Sequence, residues 1–206
     1  MIALIDYGLG NIQAFANIYK RLGIDTVFAT SPNDLQKATH IILPGVGAFD
    51  WAMNLLDNSG LRDALDKAAT IEKKPILGIC VGMQMMANSS QEGKSSGLGW
   101  IDGTVIKFDV SMLKDKPHLP HMGWNDITPV RKSKLLEGLI TPRFYFLHSY
   151  FFSPTEQEAT LATSFYGAEF TSVVQADNLY GTQFHPEKSH NWGINLLKNF
   201  SEVSGC

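Results

Sequence analysis

Residues 75–84 decide the fold class of this chain, and they read Pro-Ile-Leu-Gly-Ile-Cys-Val-Gly-Met-Gln. The first five residues form an apolar run of the kind found in a strand buried on both faces of a parallel sheet. Cys80 follows at once, between Gly78 and Gly82, in the Gly-x-Cys-x-Gly pattern of a nucleophile elbow. Glycines suit such an elbow because the backbone segments approach too closely for Cβ atoms. The stretch predicts a reactive thiol at the end of a strand, followed by a helix over Met83–Ala87.

The first half of the chain continues this alternation of short apolar runs and helical patterns. Strands are predicted at Ile2–Ile5, Thr26–Ala29, Ile41–Leu43 and Pro75–Ile79. Helices are predicted at Ile12–Leu22, Phe49–Leu56 and Leu61–Ala69. Strands that alternate with helices favour an α/β fold with an open, mostly parallel central sheet and flanking helices.

Shorter segments, bounded by Gly, Pro and Asp-Asn turns, follow Gly97. They are Val105–Phe108, Phe144–Leu147, Thr160–Phe165, Ser172–Gln175 and Tyr180–Phe184. These segments predict antiparallel or mixed strands, including an additional small mixed or antiparallel sheet. Ser189 is expected to cap a last helix over Asn191–Val203. With no repeat or linker in the sequence, we expect residues 1–206 to form a single domain.

Composition narrows the class of protein. The chain has 206 residues, of which 44% are hydrophobic and 18% charged, as in ordinary globular proteins. A net charge of −3 gives no basic surface, so nucleic acid is not an expected partner. The apolar N-terminal run is too short for a signal peptide or a membrane span. Of the two cysteines, Cys80 lies inside a glycine-rich motif and Cys206 at the C-terminus, which argues against a structural disulfide. We expect a cytoplasmic protein without membrane contact.

A thiol nucleophile requires a base, and the base requires an orienting group. Phe184-His185-Pro186-Glu187 supplies both at the end of an apolar run. His185 is the candidate base, and Glu187 is placed to accept a hydrogen bond from its imidazole. Taken alone, such a tripeptide is typical of a surface turn. Together with the cysteine elbow it predicts a Cys80–His185–Glu187 triad.

Two segments are candidates for stabilising the anionic intermediate of acyl transfer. Residues 43–49, Leu-Pro-Gly-Val-Gly-Ala-Phe, form a glycine-containing loop after a buried strand and can aim a peptide N–H at an oxyanion. Val81 would contribute the second N–H. An ordinary strand-to-helix turn is the alternative interpretation of the loop.

Two partial motifs do not support a cofactor or a metal. Gly8-Leu9-Gly10 suggests a dinucleotide fingerprint, but Gln13 stands where the third glycine belongs. His118 and His121 are spaced like metal ligands, yet no neighbouring Cys, His or acidic residue completes a tetrahedral set. We therefore expect neither a cofactor nor a metal.

The motifs together resemble the class I, triad-type glutamine amidotransferases over nearly the whole chain. Within that class they look like the glutaminase subunits of imidazole glycerol phosphate synthase, which serve histidine biosynthesis. The resemblance is carried by Asp6–Asn11, Pro44–Phe49, Gly78–Gln84, Pro120–Asn125, Phe144–Tyr150 and Gln183–Ser189. Val81 departs mildly from the leucine common in the family, and only its backbone N–H is required.

The resemblance implies an activity, a set of roles and a partner. Cys80, His185 and Glu187 would hydrolyse L-glutamine to glutamate and ammonia through a cysteine thioester. Val46 and Val81 would serve the oxyanion, and Gly47, Gln84, Ser149 and Tyr150 would contact glutamine. The implied partner is a (β/α)₈ barrel cyclase in a heterodimer, to which ammonia passes. The positions matching the shared interface or ammonia gate are Asn11, Trp124, Tyr145, His148 and Lys188.

Chemistry independently favours a partner, and three other functions remain open. Ammonia released into neutral water becomes mostly ammonium, which is not a nucleophile, so it must travel by a dry route. A paralogous subunit could instead supply ammonia to an amidino-sugar synthase of surface-polysaccharide biosynthesis. The chain could also be an inactive scaffold or regulatory subunit, or a stand-alone cysteine hydrolase.

Overall fold

A computed structural model describes residues 1–112 and 118–204, with no side chain described for Met112. The centre of the molecule is an eight-stranded sheet in which five strands run parallel. In spatial order these are β2 (Thr26–Ala29), β1 (Ile2–Ile5), β3 (His40–Gly45), β4 (Ile76–Cys80) and β13 (Leu179–Thr182). Three antiparallel strands complete the sheet: β12 (Ala168–Ala176), β11 (Thr160–Tyr166) and β8 (Thr128–Pro129).

Six α-helices are found in the described part of the chain. They are α1 (Ile12–Arg21), α2 (Pro32–Gln36), α3 (Phe49–Asn58), α4 (Arg62–Thr70), α5 (Val81–Met85) and α6 (His190–Ser201). In α1, Phe15, Ala16 and Tyr19 recur at helical spacing and are buried, so one face of the helix packs against the core. None of these helices has the length and apolarity needed to cross a membrane.

Two small sheets lie beside the central one, where the sequence predicted one. The first contains β10 (Tyr150–Pro154), β6 (Gly103–Lys107) and β5 (Ser89–Ser90), and it mixes antiparallel and parallel pairs. The second is an antiparallel pair of β7 (His121–Asp126) and β9 (Arg143–His148). The predicted fold class is confirmed: an open, mostly parallel sheet with flanking helices and additional small sheets.

The helix after Cys80 was placed too late by the sequence pattern. It begins at Val81 and ends at Met85, whereas Met83–Ala87 was predicted. The strand passes into the helix with no connecting residue because Cys80 itself, at a φ of 54°, makes the turn. The N-terminus of the helix therefore lies next to the sulfur-bearing residue.

The predicted side-chain cap of the last helix is wrong. Ser189 does occupy the N-cap position of α6, but its hydroxyl makes no capping bond. The Ser189 Oγ instead donates to the His185 carbonyl at 2.6 Å and accepts from the Tyr145 N–H at 3.0 Å. The hydroxyl thus ties β9 to the segment that carries His185.

Candidate active site

The elbow around Cys80 is held by close backbone packing. Cys80 ends β4 with a φ of 54°, in the left-handed region that non-glycine residues rarely occupy. A Cβ on Gly78 would lie 2.7 Å from backbone atoms of Gly82 and Met83, and a Cβ on Gly82 would overlap the Leu43 carbonyl of β3. The two glycines allow the strand and the helix to pack closely enough to hold this strained turn.

Parallel neighbouring strands bring the second and third candidate residues to the cysteine. β13 pairs with β4, and its carboxyl end leads through Gln183 and Phe184 to His185. Pro186 begins the short 3₁₀ turn Pro186–Lys188, which returns Glu187 towards the imidazole. The His185 Nδ1 lies 2.9 Å from the Glu187 Oε1, and both side chains are only 4% exposed. The chain folds so that an acid, a base and a thiol meet at one sheet edge.

The charge state of His185 follows from its neighbours. Burial disfavours the imidazolium, but hydrogen bonds to Cys80 and Glu187 and the negative charge of both groups outweigh it. Together they raise the pKa of His185 to about 10. The imidazole is therefore protonated at neutral pH, and a thiolate on Cys80 would be stabilised beside it.

Cys80 faces a cavity of about 490 Å³. Each predicted oxyanion or glutamine-binding residue lines this cavity: Val46, Gly47, Val81, Gln84, Ser149 and Tyr150. Val46 and Gly47 follow β3, whose Gly45 is paired with Cys80. The Tyr7 hydroxyl donates to the Pro44 carbonyl at 2.6 Å and so fixes the start of this loop. The volume and the mixed polar and apolar lining suit a small polar substrate.

Buried hydrogen bonds hold one wall of the cavity. The Tyr150 carbonyl accepts from the Gln84 Nε2 at 3.0 Å and from the His148 Nδ1 at 2.8 Å. The His148 Nε2 is 2.9 Å from the Nδ1 of His121, which is buried as well. Burial, followed by repulsion from His121, lowers the pKa of His148 to about 3. His148 is therefore neutral at physiological pH and positions the Tyr150 backbone.

The five predicted interface positions divide into outward-facing and buried residues. Trp124 and Tyr145 are opposite each other on β7 and β9, and the Lys188 Nζ lies 5.8 Å from the centre of the Tyr145 ring. Asn11 is exposed at the beginning of α1, where its side chain accepts from the Ala14 N–H at 3.3 Å. His148 differs from the other four because it faces inward.

Two further residues at the site were not singled out from the sequence. Glu92 lines the cavity, and its carboxylate accepts from the Phe49 N–H at 2.9 Å. Gln183 is fully buried, and its Nε2 lies 3.6 Å from the Cys80 Sγ. Gln183 stands two residues before His185, which was a usable signal. Glu92 belongs to a loop that no pattern connected to the site.

The comparison with protein families decides the classification. The family model for class-I glutamine amidotransferases matches residues 3–203. The chain belongs to the class-I glutamine amidotransferase family. Within this amidotransferase, the elbow, the His185–Glu187 pair and the glycine-containing loop all surround one cavity. The resemblance drawn from its motifs is thereby confirmed.

Two relatives of this amidotransferase are named as HisH subunits. The imidazole glycerol phosphate synthase subunit HisH of Bdellovibrio bacteriovorus is 56% identical over 98% of this chain and 100% of its own length. The HisH subunit of Leptospira interrogans is 48% identical over 98% of this chain and 100% of its own length. A crystal structure of a glutamine amidotransferase superposes with a TM-score of 0.75 at 19% identity, covering 98% of both chains.

Proposed function

We propose that this amidotransferase is the glutaminase subunit of an imidazole glycerol phosphate synthase in histidine biosynthesis, formed by residues 1–206 as a single domain. The observation that carries the proposal is that Cys80 and His185 line one cavity, with the His185 Nδ1 2.9 Å from the Glu187 Oε1. The identity of up to 56% with HisH subunits supports the choice of pathway. The chemistry requires a reduced thiol, which supports a cytoplasmic location.

The first half-reaction forms a thioester. The Cys80 thiolate attacks the carboxamide carbon of glutamine, and the carbonyl oxygen becomes an oxyanion in the tetrahedral intermediate. The backbone N–H groups of Val46 and Val81 are the proposed oxyanion donors, since both residues line the cavity. The protonated His185 then gives its proton to the amide nitrogen. The carbon–nitrogen bond breaks, and ammonia leaves.

The second half-reaction regenerates the thiol. The neutral His185 takes a proton from water, which attacks the thioester carbon. The carbon–sulfur bond breaks, glutamate is formed, and His185 with its new proton again stabilises the Cys80 thiolate. Glu187 holds the imidazole in the required tautomer and stabilises its positive charge throughout.

Glutamine recognition is assigned by charge and position. Glu92 is an acceptor at the cavity wall that suits the α-ammonium group of glutamine. The segment Ser149–Tyr150, held by Gln84 and His148, forms the facing wall. Gly47 completes the cavity on the side of the proposed oxyanion loop.

A barrel cyclase is the proposed partner, bound through the outer face of β7 and β9. Met122, Trp124 and Leu147 are apolar and partly or largely exposed on this face, and Leu147 also lines the cavity together with Lys188. Exposed apolar residues grouped beside an active site are typical of an interface. The closeness of Lys188 and Tyr145 supports their proposed part in gating ammonia.

The decisive experiment measures glutamate release from glutamine by the wild-type chain and by Cys80→Ser, each with and without the barrel protein and its acceptor. We expect release by the wild type, a large stimulation by the loaded barrel, and no release by the variant. Equal rates for the two proteins would exclude Cys80 as the nucleophile. A wild type that gains nothing from the barrel would exclude a gated subunit.

Pathway is tested separately by genetics. Expression of this chain in a strain lacking its own HisH subunit should restore growth without histidine, whereas Cys80→Ser should not. Failure of the active wild type to restore growth would favour the amidino-sugar paralogue.

A further inference from the structure

Gln183 is the one buried amide that faces the nucleophilic sulfur, among the residues the structure describes. Its Nε2 lies 3.6 Å from the Cys80 Sγ, and its side chain has no exposure to solvent. We propose that Gln183 is a catalytic residue that donates a hydrogen bond to the Cys80 thiolate. This inference rests on the proposed function and adds a second proton donor, besides His185, to the resting nucleophile.

The orientation of the Gln183 amide is determined by a chain of neighbours. A backbone carbonyl only accepts hydrogen bonds, so the Tyr150 oxygen, 3.0 Å from the Gln84 side chain, must face the NH₂ group of Gln84. The same nitrogen of Gln84 lies 3.0 Å from the Gln183 side chain, which must therefore present its oxygen there. The nitrogen of Gln183 is consequently left facing sulfur.

The hydrogen bond is useful only to a charged sulfur. A thiol accepts hydrogen bonds weakly, whereas a thiolate is a strong acceptor, so the donor favours the thiolate and fixes its direction. The Gln183 amide is uncharged and cannot lose its proton to the thiolate. It can thus support the thiolate in the resting enzyme and again when the carbon–sulfur bond breaks in the second half-reaction.

Other groups near the sulfur do not replace this donor. The Leu147 carbonyl, 4.0 Å from the Sγ, is an acceptor and would repel a thiolate. Burial, followed by the charge of Cys80, raises the pKa of Tyr7, and its hydroxyl is directed at Pro44 and Met85. The remaining titratable groups at the cavity or at His185 are His148, Tyr150, Glu92, Lys188 and Glu187.

The test follows the reactivity of the sulfur directly. In a Cys206→Ser background Cys80 is the only cysteine, so iodoacetamide alkylation of the full chain reports its thiolate as a function of pH. Gln183→Met removes the donor at similar volume. Gln183→Glu keeps an acceptor for Gln84 but presents no donor to the sulfur.

Both variants should move the alkylation midpoint to higher pH, with about tenfold slower alkylation below the midpoint and an unchanged plateau above it. The shift should be larger for Gln183→Glu because its carboxylate adds negative charge. If either variant folds and has the same alkylation midpoint as the wild type, the proposal is overturned. Folding is verified by circular dichroism, and Gln183→Glu provides the result if Gln183→Met does not fold.

Thr182→Val is the matched control. Thr182 is the preceding residue, is also fully buried, and donates its hydroxyl to the Phe184 carbonyl at 3.1 Å. Its loss should lower thermal stability and leave the alkylation midpoint in place. A shift as large as that of the Gln183 variants would mean that any disturbance of this strand has the same effect, which overturns the proposal. Because alkylation needs no glutamine, a chain that fails as a glutaminase can still pass this test.

Discussion

At the scale of single residues, two buried histidines at the cavity have pKa values shifted in opposite directions. His185 is held beside Glu187 and Cys80, and its pKa is raised to about 10. His148 is buried beside His121, and its pKa is lowered to about 3. Hydrogen bonds to Cys80 and Glu187, together with their negative charge, outweigh burial at His185, and burial dominates at His148. One imidazole is thereby available as a proton donor, while the other serves as a neutral hydrogen-bonding group.

Glu187→Gln should weaken the proton donor. Without the carboxylate the pKa of His185 falls, so the imidazolium loses its proton at lower pH. The basic limb of the pH profile of kcat therefore moves to lower pH. We expect kcat for glutamate release to fall roughly 10²–10⁴-fold, as for other triads that lose their acid. Glu92→Gln is the matched control, since it removes a carboxylate from the same cavity and should raise KM instead. An unchanged basic limb in Glu187→Gln would contradict this account.

His148 should make the stability of the protein depend on pH. Between pH 6.5, its ordinary pKa, and about 3, the unfolded chain binds a proton that the folded chain excludes. The free energy of unfolding therefore falls as pH falls through this window, whereas above pH 6.5 the neutral His148 costs no stability. His148→Asn keeps a donor for the Tyr150 carbonyl but does not titrate. Urea unfolding at several pH values gives the change in the free energy of unfolding with pH. For His148→Asn this slope should be smaller than that of the wild type by up to about 1.4 kcal/mol per pH unit. Identical slopes would be inconsistent with a buried neutral His148.

At the scale of elements, the elbow depends on the closeness of β4, α5 and β3. The tips of β3 and β4 are paired at Gly45 and Cys80, and a Cβ on Gly45 would overlap the backbone of Val81 and Gly82. The same contact brings the loop after β3 to the sulfur. The elbow and the proposed oxyanion loop therefore form one unit, and a change in one displaces the other.

Gly78→Ala tests this close packing. Its Cβ would lie 2.7 Å from backbone atoms of the helix, and backbone cannot move aside cheaply. We expect the free energy of unfolding to fall by about 3 kcal/mol, with a loss of glutaminase activity. Gly60→Ala is the control, because Gly60 has a φ of +75° but open space around it. Denaturant unfolding should show a loss of about 1 kcal/mol there from backbone strain alone; losses of equal size would argue against the steric explanation.

At the scale of the whole molecule, the site is assembled where the carboxyl ends of three parallel strands meet. β3 leads to the proposed oxyanion loop, β4 ends in the thiol of Cys80, and β13 leads to the proposed base, His185. The small sheet of β7 and β9 closes the cavity on one side through Leu147 and His148 and turns Trp124 and Met122 outward. A partner bound on this face would lie next to this wall of the cavity.

Trp124→Ala should weaken binding of the barrel partner. Trp124 is 37% exposed and stacks on His190 with ring centres 5.2 Å apart, which gives it a rigid aromatic surface. Large aromatic residues at interface centres contribute strongly, so we expect at least tenfold weaker binding by calorimetry. Ile71→Ala removes a side chain that is 74% exposed at the end of α4 and should leave the affinity unchanged. Similar effects for both variants would place the interface elsewhere.

The sequence by itself determined the class of fold, the cysteine elbow and the family. Apolar runs, helical periodicity and glycine spacing are local signals, and they predicted β1, β2 and β4 to within one residue. Only the tertiary structure decided the start of α5, the hydroxyl bonds of Ser189, and the arrival of Glu92 and Gln183 at the cavity. The contacts that place Glu92, Gln183 and Ser189 beside Phe49, Cys80 and Tyr145 join residues 43, 103 and 44 positions apart, and no local pattern records such contacts.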